Sequence, residues 1–264
     1  MLRIENISKT FNAGTINEKQ ALKNVNLYIN DGDYITVIGG NGAGKSTLLN
    51  IISGVHTIDE GELILDGIKL TKMPEFKRAQ YFGRVFQDPL MGTASSMEIE
   101  ENLALAYRRG KFRGLSWAIT QSERRLYQTQ LSRLDLGLEN RMTTKVGLLS
   151  GGQRQALTLL MATLVKPKML LLDEHTAALD PKTALKVQDL TQELTQENNI
   201  TTLMITHNMK DAIKYGNRLI MMHDGKIIYE ASGEEKKSLR VEDLLKKFEQ
   251  NAGSELVNDR MLLA

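Results

Sequence analysis

Apolar residues fall along this chain in three successive rhythms, each predicting a different class of element. In the first third, Val25, Leu27 and Ile29 alternate with polar neighbours, the period of a half-buried strand. Tyr34-Ile35-Thr36-Val37-Ile38 is a short β-rich segment, and Glu62 to Leu70 sets Asp66-Gly67 between apolar-rich flanks, a hairpin signal. Gly83-Arg84-Val85-Phe86 reads as another strand, stopped by Asp88-Pro89. From about Glu98 to Leu164 the pattern is mainly helical, and Thr120 with Glu123 three residues on predicts a capping box opening a helix toward Leu136. The last third alternates. Met169 to Leu172 is a continuous apolar run suited to a buried parallel strand. Pro181 to Gln196 predicts a helix with Pro in its first turn. Thr201 to Ile205 is a second buried strand, Asn208 to Tyr215 a short helix, and Asp224-Gly225 the turn of a second hairpin. Val241, Leu244, Leu245 and Phe248 recur at helical spacing in the tail. The sum is a single α/β domain over 1–264 with a helical block inserted at about 89–160 and a short helical tail at about 236–264.

One stretch between a strand and a helix changes this picture. Gly39-Gly40-Asn41-Gly42-Ala43-Gly44-Lys45-Ser46-Thr47 satisfies G-x-x-x-x-G-K-[ST], a phosphate-binding P-loop. Glycines let backbone wrap closely round an anion. The wrapped N–H groups and the following helix N-terminus then direct partial positive charge at phosphate oxygens. Lys45 is placed to reach the β- and γ-phosphates, and the Ser46 hydroxyl to ligate Mg²⁺. By itself the motif specifies a nucleoside triphosphate and little else.

Composition narrows the setting. The 264 residues are 41% hydrophobic and 25% charged, as in water-soluble globular proteins, and the net charge of +2 gives no case for nucleic-acid binding. Cysteine is absent, which excludes disulfides and thiolate metal sites. Met1-Leu2-Arg3-Ile4-Glu5-Asn6 lacks the apolar core of a signal peptide, and no apolar run is long enough to span a bilayer. A role at a membrane therefore requires docking onto a spanning partner.

Two further segments carry chemistry. Met169-Leu170-Leu171-Leu172-Asp173-Glu174 is a buried strand ending in two acids. Beside a P-loop, Asp173 is placed to hold Mg²⁺ and Glu174 to polarise a water against the γ-phosphate, as general base or orienter. Leu149-Ser150-Gly151-Gly152-Gln153 precedes a helix and reads either as a second anion-binding nest or as a loop with an N-cap.

Together these residues resemble the ATP-binding subunit of ATP-binding cassette (ABC) transporters, across about residues 1 to 230. Leu149 to Gln153 matches the family's signature sequence, Gln87 in Val85-Phe86-Gln87-Asp88-Pro89 its glutamine loop, Ala178-Leu179-Asp180 its D-loop, and His207 in Ile205-Thr206-His207 its switch histidine. The resemblance implies a P-loop NTPase (RecA-like) α/β core with an N-terminal antiparallel β-subdomain and an inserted α-helical subdomain. It implies ATP and Mg²⁺ as cofactors, with Gly39, Asn41, Gly42, Ala43, Gly44, Lys45, Ser46 and Thr47 around the phosphates. Ser46, Gln87 and Asp173 would hold the metal, and Lys45, Glu174 and His207 would serve catalysis. Ser150, Gly151, Gly152 and Gln153 would bind nucleotide held by a second subunit, with Asp180 across that interface and Phe11 stacked on adenine or, equally, a core residue ending the first strand. The implied partners are a head-to-tail homodimer, integral membrane permease subunits and, indirectly, an extracytoplasmic solute-binding protein. The implied place is the cytoplasmic face of the cell membrane. Residues 86–93 and 173–180 are similar to a bacterial subgroup of tryptophan/tyrosine-type importers.

Other readings differ in class. An efflux or lipoprotein-release ATPase shares every motif above. A soluble cassette ATPase of DNA repair or translation is disfavoured by the single cassette and the absence of a long coiled coil or cysteine zinc module. Arg108-Arg109-Gly110-Lys111-Phe112-Arg113 is the one local basic run, read as a solvated loop or as a contact for RNA, lipid or permease. His175 departs from the small residue or proline common beside the acids and reads as interface or loop chemistry. Trp117 and the twelve methionines read as packing residues.

Overall fold

Alternation at the start of the chain becomes a hairpin in the computed structural model, which describes residues 1–111 and 119–252. Strands β1 (Leu2–Phe11) and β2 (Lys19–Ile29) pair antiparallel, from Leu2 opposite Ile29 to Phe11 opposite Lys19. Leu2, Ile4, Ile7, Leu22, Val25, Leu27 and Ile29 supply its buried face. The register of β1 shifts across Asn6, whose left-handed φ of 51° accommodates the irregularity. β3 (Tyr34–Ile38) is buried at all five positions and runs through the glycine-rich loop into α1 (Lys45–Ser53). β4 (Glu60–Leu65) turns through Asp66 and Gly67, at φ 49° and 80°, into β5 (Ile68–Lys69). Positive φ at both central residues is the requirement of a type I′ hairpin. The antiparallel sheet so formed has the order β2-β1-β4-β5, and α2 (Glu75–Arg78) follows it.

The chain divides into two compact units, Met1–Arg78 with Thr201–Ala264, and Ala79–Ile200. The second unit contains β6 (Phe82–Val85), α3 (Ile99–Tyr107), α4 (Gln121–Ser132), α5 (Gly151–Thr163), β7 (Met169–Asp173) and α6 (Pro181–Glu197). β6 and β7 are parallel, from Phe82 beside Met169 to Val85 beside Leu172. Ile99, Leu103, Tyr127, Leu131, Val146, Leu157 and Leu160 form one apolar core that gathers α3, α4 and α5. Helix α4 stops at Ser132, four residues short of the expected Leu136, because Asp135 and Gly137 take left-handed backbone (φ 50° and 70°). Leu134 and Leu138 are still buried, so the apolar period continues through the turn after the helix has ended.

Within the first unit, β8 (Thr201–Ile205), α7 (Met209–Lys214), β9 (Arg218–His223) and β10 (Lys226–Ser232) complete the core, followed by α8 (Gly233–Ser238) and α9 (Val241–Ala252). β3 lies between β8 and β9, parallel to both, and β10 closes antiparallel on β9. Leu244 and Phe248 of α9 pack on Ile38, Met209, Leu219 and Met221. Asp33 sits at the start of β3, 7% exposed, where its carboxylate accepts from Arg218 Nη1 at 2.6 Å, Asn217 Nδ2 at 2.9 Å and the Asn30 N–H at 2.9 Å.

The basic run is not a solvated loop at its first residues. Arg109 Nη2 donates to the carbonyls of Ala162 at 3.2 Å and Val165 at 2.5 Å, closing the C-terminal end of α5. Arg108 pairs with Glu123 at 3.1 Å, and Lys111 Nζ lies 3.7 Å from the centroid of the Tyr107 ring. Phe112, Arg113, Trp117 and the tail beyond 252 lie outside the described residues.

Candidate nucleotide site

Parallel strands present ligand-binding loops at their carboxyl ends, and the chemistry-bearing residues emerge there in both units. In the first unit, Val37 pairs with Ile205, so the glycine-rich loop after β3 and the Thr206-His207 segment after β8 leave neighbouring strands side by side. Asn208 then caps α7, its Oδ1 accepting from the N–H groups of Lys210 at 2.9 Å and Asp211 at 3.2 Å. His207 is thereby held between a strand end and a capped helix.

The loop itself is wrapped tightly. Gly44 caps α1 at φ 100°, and strand β2 lies against it: a methyl on Gly44 would come within 2.6 Å of the Ala21 carbonyl. Gly39, at φ 151°, faces the Met222 carbonyl, which a methyl would approach to 2.2 Å. Lys45 is 6% exposed and its Nζ donates to the carbonyls of Gly39 at 2.7 Å and Gly40 at 3.0 Å. The lysine therefore folds over the mouth of its own loop. Asn41, Gly42 and Ser46 are exposed, leaving the outer rim and the first turn of α1 accessible.

A residue that the motif did not reveal joins the loop. Lys19 Nζ sits 3.0 Å from where a methyl on Gly42 would lie, and Lys19 is the cross-strand partner of Phe11. The hairpin end that carries Phe11 therefore overhangs the P-loop. Phe11 is half-buried, edge-on to the His56 ring at 5.1 Å, with Lys9 Nζ 5.6 Å from its centroid. Only cross-strand register connects Lys19 to the loop, so linear spacing could not have found it.

In the second unit, the pairing of Val85 with Leu172 brings Gln87 after β6 and Asp173-Glu174 at the end of β7 to adjacent strand ends. Arg84 links them: its Nη2 is 3.8 Å from Asp173 Oδ2, and its guanidinium lies 4.4 Å from the Phe86 ring centroid. Gln155 of α5 donates to the Phe86 carbonyl at 3.2 Å, tying the residue before Gln87 to the signature helix.

The Ser-Gly-Gly segment is an N-cap in this structure. Ser150 Oγ accepts from Gln153 N–H at 3.2 Å and Gln153 Oε1 accepts from Ser150 N–H at 3.1 Å, a reciprocal capping box. That use leaves the helix N-terminus and its positive dipole end in place, so the cap and the anion nest are compatible. Gly152 packs so closely on α6 that a methyl there would lie 2.1 Å from Thr183 Cγ2. Asp180 caps α6, accepting from Thr183 N–H at 3.1 Å, and hydrogen bonds from Thr183 hold its carboxyl below the usual range.

Two features stand out beside the acids. Eight non-glycine described residues take positive φ, and seven are Asn or Asp; the eighth is Glu174, at 46°. For a residue other than glycine, asparagine or aspartate that conformation costs about 1–3 kcal/mol. His175 lies in the turn after β7, as a loop residue, but it is buried rather than exposed. It is 2% exposed, and its Nε2 lies 3.1 Å from Thr191 Oγ1 of α6. Burial pushes its imidazole down to about 4.

The donor set suits the implied cofactors. Ser46 in the first unit offers a hydroxyl, and Gln87 and Asp173 in the second an amide and a carboxylate oxygen, each a hard donor appropriate to Mg²⁺. Among the described residues no group of three or more His, Asp or Glu converges on a metal position. Lys45, Lys19 and the loop amides place positive charge around the glycine-rich loop.

Residues 22–177 match the family model described as ABC transporter. The chain is also 47% identical over 249 residues to the "Tyrosine transport ATP-binding protein" of Clostridioides difficile, covering 94% of this chain and 99% of that one. The chain belongs to the ABC transporter family. It is similar too to a spermidine/putrescine import ATP-binding protein of Vibrio cholerae, 33% identical over 235 residues, which span 89% of this chain and 58% of that protein. Among solved structures it resembles the dimeric ATP-binding cassette MJ0796 in a post-hydrolysis state bound to ADP and Pi. That match has a TM-score of 0.75 and 32% identity, covering 88% of this chain and 98% of the other. The fold is the ABC cassette, an α/β P-loop ATPase with an antiparallel β-subdomain, and this ABC protein binds and hydrolyses ATP with Mg²⁺ as partner ion.

Proposed function

We propose that this ABC ATPase powers uptake of tyrosine or a related aromatic amino acid through separate membrane-spanning permease subunits. The observation that carries the solute is the 47% identity, at nearly full length on both sides, to a tyrosine transport ATP-binding protein. Among the described residues no helix is long and apolar enough to cross a membrane, so the path for the solute belongs to a partner. The working form is a head-to-tail homodimer on the cytoplasmic face of the membrane, supplied by an extracytoplasmic solute-binding protein.

Within that reading, Lys45 reaches the β- and γ-phosphates. Ser46, Gln87 and Asp173 would hold Mg²⁺, which would supply positive charge against the phosphates. Glu174 orients the attacking water and accepts its proton, and His207 contacts the γ-phosphate. Ser150 to Gln153 face nucleotide held by the second copy, with Asp180 at that boundary. Phe11 stacks on the base. Loss of the γ-phosphate removes the group shared by Lys45, His207 and the opposing Ser150, which releases the two copies.

Glu174→Gln separates the parts of this proposal. The purified variant is expected to bind MgATP normally and release phosphate about 100-fold more slowly. Cells in which it replaces the native copy are expected to lose uptake of labelled tyrosine. Wild-type turnover overturns the role of Glu174. Slow turnover with unchanged tyrosine uptake overturns the solute.

A further inference from the structure

We propose that the buried pair His175–Thr191 is the anchor that holds Glu174 in its left-handed backbone, making both of them positioning residues for ATP hydrolysis. The inference rests on the reading of Glu174 as the water-activating carboxylate.

Strained backbone persists only where surrounding contacts over-determine it. On the N-terminal side of Glu174, the restraint is strand β7, paired to β6 through Leu172. On the C-terminal side, the Ala177 N–H donates to the Glu174 carbonyl at 2.9 Å, closing a turn. The next residue is His175, which is sunk against α6 and ties that turn to the helix. Thr191 Oγ1 donates its single proton to the Val187 carbonyl at 2.8 Å, so toward the imidazole it can only accept. His175 must therefore donate from Nε2, at 3.1 Å. One tautomer and one ring orientation satisfy both partners, so the Cα of His175 is located to within the tolerance of a buried hydrogen bond.

Helix α6 has reason to hold that position firmly. Its first turn is capped by Asp180 and interlocked with Gly152 of the signature helix through Thr183. Its buried face carries Thr191 and Thr195, each bonded back to the preceding turn, at 2.8 Å in both cases. A small residue or proline at position 175 could not reach Thr191. The anchor joins the strand end that carries the carboxylate to the helix that begins at Asp180.

The test uses the full chain and four variants beside wild type. Thr191→Val keeps the shape and removes the acceptor; Thr191→Ser restores it; His175→Phe keeps the ring and removes the donor. Thr191→Val and His175→Phe are each expected to lower kcat about 10-fold, the scale of a displacement well under 1 Å, with KM for MgATP changed less than twofold. Thr191→Ser is expected to recover most of the rate, and the Val–Phe double variant to be no slower than either single one. Circular dichroism and the unfolding midpoint report whether each variant is folded. Thr191→Val with kcat within twofold of wild type overturns the anchor, as does Thr191→Ser equally slow. A rate that falls only in proportion to the folded fraction overturns it too. Glu174→Gln run alongside keeps the two ideas apart: fast turnover in that variant defeats the carboxylate's role, whereas slow turnover there with an unaffected Thr191→Val defeats the anchor alone.

Discussion

At the scale of single residues, function gathers where side chains or backbone break their usual habits. Gly39 lies against the Met222 carbonyl, so Gly39→Ala forces a carbon to within 2.2 Å of backbone oxygen at a φ of 151°. That variant is expected to lose at least about 1–3 kcal/mol in urea unfolding, more than a surface alanine substitution costs. Lys19 makes a gentler prediction. Its ammonium lies at Gly42 on the exposed rim, so Lys19→Ala is expected to weaken MgATP about 3- to 10-fold in a fluorescent-nucleotide titration, with the loss shrinking in high salt. Equal affinity at low salt would place Lys19 outside the nucleotide's reach. Much of the residue-level site was legible in linear order: the loop, the acid pair, the signature and the histidine each announce themselves by local pattern. Lys19, Arg84 and Gln155 did not, because each meets its partner across strands or helices far apart in the chain. The burial of His175 in its loop was hidden for the same reason, since its partner Thr191 sits sixteen residues later on the buried face of α6.

Elements followed their sequence signals closely where a cap or turn marked the boundary. Thr120 and Glu123 form the expected box, with Thr120 N–H donating to Glu123 Oε2 at 2.7 Å and Glu123 N–H to Thr120 Oγ1 at 3.2 Å. Glu123 also receives Arg108, so Thr120→Ala removes one cap and loosens a second contact. About 1 kcal/mol is the expected loss, seen as a fall in unfolding temperature of about 2–4 °C. An unchanged midpoint would show that α4 is held by its Tyr127 and Leu131 contacts alone. Both type I′ hairpins were readable from Asp-Gly pairs, whose left-handed backbone the structure shows at Asp66 and Asp224. The end of α4 was not, since apolar spacing continues through Leu134 while Asp135 turns the backbone away. Arg109 likewise looked like a surface charge, but its guanidinium closes the last turn of α5, and burial lowers its affinity for a proton.

For the molecule as a whole, acid stability has an identifiable contributor in the first unit. Burial would raise the Asp33 carboxyl, but the hydrogen bonds from Asn217 and Asn30 and the pairing with Arg218 outweigh it, leaving the group below the usual carboxylate range. A depressed value in the folded state means stabilisation that is present above the ordinary carboxylate value and lost as pH falls through the folded one. Asp33→Asn is therefore expected to be less stable than wild type at pH 7, with the difference narrowing below about pH 4. Denaturation midpoints across that range decide it; a constant gap would assign the loss to packing. Arg218 also donates to the Tyr28 carbonyl at 2.7 Å, so the same cluster joins the end of β2 to the core strands. Glu174 carries the opposite lesson. Replacing it by glycine would relieve its backbone, and the resulting protein should melt later while turning over nothing. Any screen of this ATPase for heat resistance alone would thus enrich sequences that have given up their work, and only a screen that also demands turnover would keep the glutamate.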